Sequence, residues 1–154
     1  MGRDEVDTVL ADLGERIGIA GLRLDAAGAC QLVFDQRWLV TLLHVPQQAG
    51  VALNCPVTAA GHAEQLGAKA LRAMLRAGFH GAGSGTTLAI GPDDRAYLQR
   101  LLPVTGRRGD ALHQALEQLL DLAETWAERL GRAESDPSPP RGDSASAPWA
   151  MQRV

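Results

Sequence analysis

The sequence predicts an α+β fold in which a five-stranded antiparallel sheet packs with three helices, in the order α-β-β-β-α-β-β-α. Two observations lead to this prediction. Apolar residues recur at helical spacing in three separate segments, and short apolar runs bounded by turn residues occur three times before the middle helix and twice after it. The predicted helices span 4–17, 60–79 and 110–130, and the predicted strands span 30–35, 38–45, 51–57, 86–90 and 96–102.

The first and third helices are indicated by apolar residues that recur every three or four positions. Asp4 and Glu5 lie in the first turn of the first helix, where the helix dipole favours acids. Gly18 and Gly131 are predicted to end the two helices. The apolar positions are Val6, Val9, Leu10, Leu13 and Ile17 in the first helix, and Leu112, Ala115, Leu116, Leu119, Leu120, Ala123, Trp126, Ala127 and Leu130 in the third. The first row is narrow and the second is broad.

The strand predicted over 38–45 is apolar at both sets of alternate positions. Trp38 and Val40 share one face, while Leu39 and Leu43 share the other. Antiparallel sheets usually bury one face and leave the other in water. A sheet with two apolar faces needs two covers, and the three helices offer too little apolar surface for both.

The second helix is apolar over most of its circumference, which is typical of a helix buried on more than one side. Its polar residues are confined to a wedge that consists of Gln65, Lys69, Arg72 and Arg76. We expect its larger side chains, which are Leu71, Met74, Leu75 and Phe79, to face the sheet of the same subunit. Its smaller face consists of Leu66, Ala70, Ala73 and Ala77. Because small side chains allow close approach, we expect that face to form the interface of a homodimer.

Composition indicates one globular domain over 1–131, followed by a Pro- and Ser-rich tail over 132–154 that we expect to be disordered. The net charge of −3 gives no electrostatic reason to expect nucleic acid or an anionic membrane as a partner. No apolar run is long enough for a membrane span, and no secretory signal is visible. We therefore expect a cytoplasmic protein in which Cys30 and Cys55 are buried free thiols.

No constellation of residues points to catalysis. The glycine-rich run 81–85 follows a helix and precedes a strand, the reverse of a phosphate loop. The four histidines do not lie at metal-ligand spacing. The basic residues Lys69, Arg72 and Arg76 are either a phosphate-binding stripe or the solvated edge of the helix, and the acidic net charge favours the edge. We expect no enzymatic activity, no metal and no cofactor.

Several stretches carry a family resemblance. Residues 22–25 and 28–35 read Leu-x-Leu-Asp and then Gly-x-Cys-x-Leu-x-Phe-Asp at the entry to the sheet. Residues 71–77 are similar to a central helix, 85–103 to a closing hairpin, and Trp126 lies in a long last helix. Together with the element order, these features resemble the class I type III secretion chaperones of the Tir chaperone (CesT) family over residues 4–130.

The resemblance implies a homodimeric, ATP-independent chaperone in the cytoplasm of a Gram-negative bacterium. Such a protein holds the N-terminal region of a secreted effector in an extended, export-competent state. The resemblance implies a secreted effector as partner. The export ATPase is a second candidate partner.

We expect the effector to bind apolar surface around the first helix and the sheet, because the narrow row of that helix covers too little of the sheet. This expectation places the effector on Val6, Leu10, Leu13, Leu32, Phe34, Trp38, Val40 and Leu42. Two alternatives remain open. One is a small enzyme whose site is assembled from His44, Asp35 and Arg37, and the other is a purely structural dimerisation module.

Overall fold

The fold is described from a computed structural model, in which residues 2–79, 85–104 and 109–135 can be described. The α+β prediction and its element order are confirmed. The elements are α1 (Arg3–Ile17), β1 (Ala29–Phe34), β2 (Trp38–Val45), β3 (Gly50–Pro56), α2 (Ala68–Phe79), β4 (Thr86–Ile90), β5 (Ala96–Pro103) and α3 (Gly109–Ser135), with short 3-10 turns at Pro46–Gln48 and His62–Gln65.

Two of the predicted helix bounds are wrong. Helix α2 begins at Ala68 and not at residue 60. The chain before it turns at Gly61, which has a left-handed φ of 72°, and its backbone forms hydrogen bonds with the β4–β5 turn instead of with a helix. The N–H groups of Gly61 and Ala63 donate to the carbonyls of Asp93 and Asp94 in the β4–β5 turn. At the other end of the chain, Gly131 does not stop α3. The helix therefore includes the start of the predicted tail, and the rest of that tail lies outside the described residues.

The five strands form one antiparallel sheet in the order β1-β2-β3-β5-β4. Strands β1 and β4 therefore lie at its two edges. The register pairs Leu32 with Val40 and Leu42 with Leu53, so these side chains share a face, which we call the inner face. The opposite face, on which Val33 pairs with Leu39, is called the outer face.

The inner face forms one hydrophobic core with α1 and α3. Its buried residues are Cys30, Leu32, Trp38, Val40, Leu42, Val51, Leu53, Cys55, Leu98 and Leu102. Helix α1 contributes its whole predicted row except the half-buried Ile17, and α3 contributes Leu112, Leu116, Leu119, Trp126 and Leu130. The two helices also pack against each other.

The segment between α1 and β1 adds to this cover. Leu22 and Leu24 are buried in the core. The N–H group of Leu24 donates to Oδ1 of Asp7 at 2.8 Å, and Nη2 of Arg3 donates to the Leu24 carbonyl at 2.9 Å. Two polar side chains of α1 therefore hold an extended segment against the edge of the core.

Helix α3 starts in close contact with α1. A Cβ added to Gly109 would lie 2.6 Å from Cβ of Asp12 and 2.7 Å from the backbone nitrogen of Leu13. Real Cβ atoms do not approach other atoms this closely, so only glycine allows α3 to begin here.

We predict that Gly109→Ala lowers the free energy of unfolding by about 1–3 kcal/mol, because the two helices must separate to admit the methyl group. The matched control is Gly131→Ala in the same helix, where an added Cβ meets nothing within 4 Å. We expect this control to be stabilised by about 0.5–1 kcal/mol. Urea unfolding followed by circular dichroism measures both variants. Equal stability of Gly109→Ala and the unmodified chain would contradict the close contact.

Candidate protein-binding surfaces

The residues predicted to bind an effector lie mostly in the core of the subunit. All of them are buried except Phe34, which is half-buried. The expectation that apolar surface stays exposed near Leu32, Trp38, Val40 and Leu42 is therefore wrong. The physical reason is that α1, α3 and the segment around Leu22 and Leu24 together cover the inner face. The sequence-based expectation counted only the helices as cover and did not include this segment. The buried residues of the predicted set are Val6, Leu10, Leu13, Leu32, Trp38, Val40 and Leu42.

The apolar surface that stays open lies on the outer face of the sheet. Val33 is 64% exposed, its partner Leu39 is half-buried, and Leu101 is 38% exposed. The strand register places Ala29, Leu43, Ala52 and Leu101 in a row across β1, β2, β3 and β5. We call these four residues the apolar row.

A polar row lies next to the apolar row. It consists of Gln31, Thr41, Asn54, Gln99 and Thr87, which follow one another across all five strands. Nε2 of Gln99 donates to Oδ1 of Asn54 at 3.0 Å. Leu43, Ala52 and Leu101 line a cavity of about 440 Å³ together with residues of this polar row. The outer face therefore offers apolar contacts beside hydrogen-bonding groups, as a surface that binds another chain does.

Helix α2 exposes a second apolar surface. Leu75 is 75% exposed and Phe79 is 88% exposed, so the expectation that they face the sheet of the same subunit is wrong. Leu66 and Ala70, which the sequence predicts in the dimer interface, are buried within the subunit, while Ala77 is half-buried and Ala73 is exposed. Met74 is buried like Leu66 and Ala70, so burial does not follow the predicted division into a face of large residues and a face of small ones. We call Leu71, Leu75 and Phe79 the apolar flank of α2.

The apolar flank adjoins the edge strand β4. A cavity of about 320 Å³ lies between the two elements. It is lined by Leu71, Met74, Leu75, Leu88, Ala89 and Ile90. Ile90 is 46% exposed at this edge. The helix and the strand thus form one continuous apolar surface.

The residues of the enzyme alternative are not brought together. Asp35 and Arg37 lie in the turn before β2, where the Arg37 guanidinium stacks over Trp38 at 4.4 Å. His44 lies near the other end of β2, roughly 20 Å along the strand from Arg37. The described residues contain no group of three His, Cys, Asp or Glu residues placed to hold a metal ion. Most of the glycine-rich run lies outside the described ranges.

The two cysteines are free and buried. Burial raises the pKa of the Cys55 thiol to about 12. Burial, with smaller contributions from Asp25 and Asp7, also raises the pKa of Cys30. Both thiols are protonated at neutral pH and are therefore poor nucleophiles. In the described part of the chain, the helices are too short or too polar to cross a membrane.

These surfaces can be compared with known proteins. The sequence profile of the Tir chaperone protein (CesT) family matches residues 8–127, which run from the first turns of α1 to the last third of α3. The chain belongs to this family. The resemblance found from the sequence is thereby confirmed over most of its length. No curated protein matches the chain.

Several solved structures are similar in fold to this CesT-family chain. The structure of the ExsC-ExsE complex matches with a TM-score of 0.73 and 25% identity, over 83% of this chain and 95% of that chain. The HopA1-SchA chaperone-effector complex matches with a TM-score of 0.69 and 16% identity, over 80% and 94% of the two chains. The Yersinia pestis type III secretion chaperone SycH, in complex with a fragment of YscM2, matches with a TM-score of 0.63 and 20% identity, over 78% and 98%. The HopA1-SchA and SycH structures, at 16% and 20% identity, are evidence for the fold alone.

We predict that Val40→Asp unfolds the subunit or lowers its free energy of unfolding by more than about 3 kcal/mol, because Val40 is fully buried and the carboxylate would have no partner. Val33→Asp makes the same change on the exposed outer face and should cost less than about 1 kcal/mol. Circular dichroism during urea unfolding compares them. A stable Val40→Asp variant would show that the inner face is open to water.

Proposed function

We propose that this chain is a cytoplasmic, homodimeric and non-enzymatic chaperone, which binds the N-terminal region of a type III secreted effector and keeps it extended and export-competent. Membership of a chaperone family supports the proposal, and one of the similar structures is a chaperone-effector complex. The observation that carries it is the open outer face, because a folded subunit with its core already closed still exposes Val33, beside the half-buried Leu39, to a second chain.

The proposed effector surface is the edge strand β1 with the adjoining part of the outer face. Edge strands present backbone N–H and C=O groups that an extended segment can use, which provides affinity without a folded partner. The alternate side chains of an added strand would contact Val33 on the outer face and the half-buried Phe34 on the inner face. Leu39 lies next to Val33 and continues the contact inward.

This mode of binding keeps the effector unfolded. A segment that pairs as an edge strand cannot pair with its own chain, and its apolar side chains lie against the chaperone instead of forming a core. Each large side chain that is newly buried contributes about 1.5–3 kcal/mol, which offsets part of the cost of ordering the segment. Contact with the export ATPase remains part of the proposal as a later step in export.

The proposed dimer is closed by the apolar flank of α2 and the edge of β4. A two-fold axis brings two copies of Leu75 and Phe79 together, and each side chain gains about 1.5–3 kcal/mol on burial. The exposed Ile90 extends this surface onto the edge strand. A second copy is favoured as the occupant because one continuous patch can be self-complementary across such an axis.

We predict that Val33→Asp combined with Leu39→Asp weakens the binding of the effector's N-terminal segment by about tenfold or more, because two apolar contacts are replaced by charges that must be desolvated. Isothermal titration calorimetry measures the affinity. The control is Gln114→Glu, which adds a negative charge to an exposed position of α3. Unchanged affinity in the double variant would move the effector surface elsewhere, and the absence of binding by the unmodified chain would favour a structural dimerisation module.

We predict that Leu75→Glu and Phe79→Glu each convert the dimer to a monomer, because like charges would meet across the two-fold axis. Ala73→Glu introduces the same charge on the opposite flank of α2 and should leave the dimer intact. Sedimentation velocity gives the mass of each species. A monomeric Ala73→Glu together with a dimeric Leu75→Glu would return the interface to the small-residue face that the sequence indicated.

A further inference from the structure

A groove between α2 and α3 combines an apolar floor with a basic rim. It is a cavity of about 300 Å³. We call it the basic groove, and its floor contains Ala73, Trp126 and Leu130 while its rim contains Lys69, Arg129 and Arg132. No carboxylate is among the described residues that line it. Two of the floor residues, Trp126 and Leu130, also belong to the core, so the floor is rigidly held.

The charge around the groove is opposite to that of the whole chain. The chain carries a net charge of −3, yet three cations line the groove and Arg72 and Arg76 are exposed on the neighbouring turns of α2. The Arg129 guanidinium lies over the Trp126 ring at 5.2 Å. Arg132 pairs with Glu128, whose carboxylate partly neutralises one end of the rim. Lys69 and Arg129 place further positive charge on the same rim.

We propose that the basic groove binds an acidic segment of a partner protein, which inserts an apolar side chain between α2 and α3 and places its carboxylates on the rim. The two parts of the groove determine this chemistry. An apolar floor gives a large hydrophobic side chain a place to be buried, and the surrounding arginines pair with carboxylates in geometries that arginine favours. A free phosphate ion would use the rim but would leave the floor without a contact.

The groove lies on the flank of α2 opposite to Leu75 and Phe79, and away from the outer face of the sheet. Its accessibility in the dimer rests on the proposed function, in which the apolar flank closes the dimer. A partner that fills the groove therefore competes with neither the second subunit nor the effector strand on β1. The dimer would carry two such grooves, one in each subunit.

The test uses the full-length dimer and two labelled synthetic peptides in fluorescence anisotropy. Both peptides carry the same leucine and tryptophan residues, with glutamate at the polar positions of one and lysine at those of the other. We expect the glutamate peptide to bind at least about tenfold more tightly. Raising the ionic strength from about 0.01 M to about 1 M, which shortens the Debye length from about 30 Å to about 3 Å, should weaken that binding.

Two variants of the groove and one control of equal charge locate the site. Arg129→Glu combined with Arg132→Glu should weaken the binding of the glutamate peptide by at least about tenfold. Arg16→Glu combined with Arg23→Glu makes the same change in net charge at exposed positions outside the groove and should have no effect. Ala73→Leu fills the floor without changing any charge, and it should also weaken binding because the apolar side chain of the partner loses its place.

Several results would overturn the proposal. The charge selectivity would be contradicted if the two peptides bound equally well. It would also be contradicted if the Arg129/Arg132 variant bound the glutamate peptide as tightly as the unmodified chain does. Binding only after removal of residues 136–154 would show that the chain's own tail occupies the groove. A monomeric Arg129/Arg132 variant in sedimentation velocity would show that a second copy occupies it. Effector binding measured by calorimetry on the same variant separates this proposal from the proposed function, because only the peptide should be affected.

Discussion

The strict alternation of side chains along the strands is the constraint on which the rest of the structure depends. Each residue that enters the core, such as Val40, places its neighbour Leu39 or Thr41 on the outer face. Since the described helices cover the inner face, the residues between the core positions are left to water or to a partner. The apolar row and the polar row are therefore direct consequences of a core whose register is fixed by pairs such as Leu42 with Leu53.

The closure of the inner face depends on small and polar details. Gly109 allows α3 to start against α1, while Asp7 and Arg3 bind the backbone at Leu24. These contacts hold α1, α3 and the connecting segment over most of the inner face. Helix α2 is consequently left at the side, where it contacts β4 and α3 and buries only Ala70 and Met74 fully. Its remaining circumference supplies both the apolar flank and one wall of the basic groove.

The sequence predicted the fold well and the surfaces poorly, for one physical reason. Periodicity reports which residues share a face, and this was enough for the element order and for the grouping of Leu75 with Phe79. It does not report what each face contacts, because that depends on the tertiary arrangement. Ala70 packs inside the subunit, where close approach to α3 also favours a small side chain. The cover from Leu22 and Leu24 could have been found from their alternation around Arg23, which is a period-two signal in a segment read only as a short extended piece.

The charge of the whole chain likewise does not predict the charge of one part of its surface. A net charge of −3 describes how the chain behaves at a distance, where a basic patch and an acidic helix face cancel. At about 0.15 M salt the Debye length is about 8 Å, so a docked segment responds only to the charges beside it. Arg129 and Arg132 project from the end of α3 at the groove, and Arg72 and Arg76 from the adjoining turns of α2. The acidic residues of the middle of α3, such as Glu117 and Asp121, lie two or more turns away along the helix. An acidic chain can therefore present a basic groove, in which Glu128 neutralises only the end of the rim formed by Arg132.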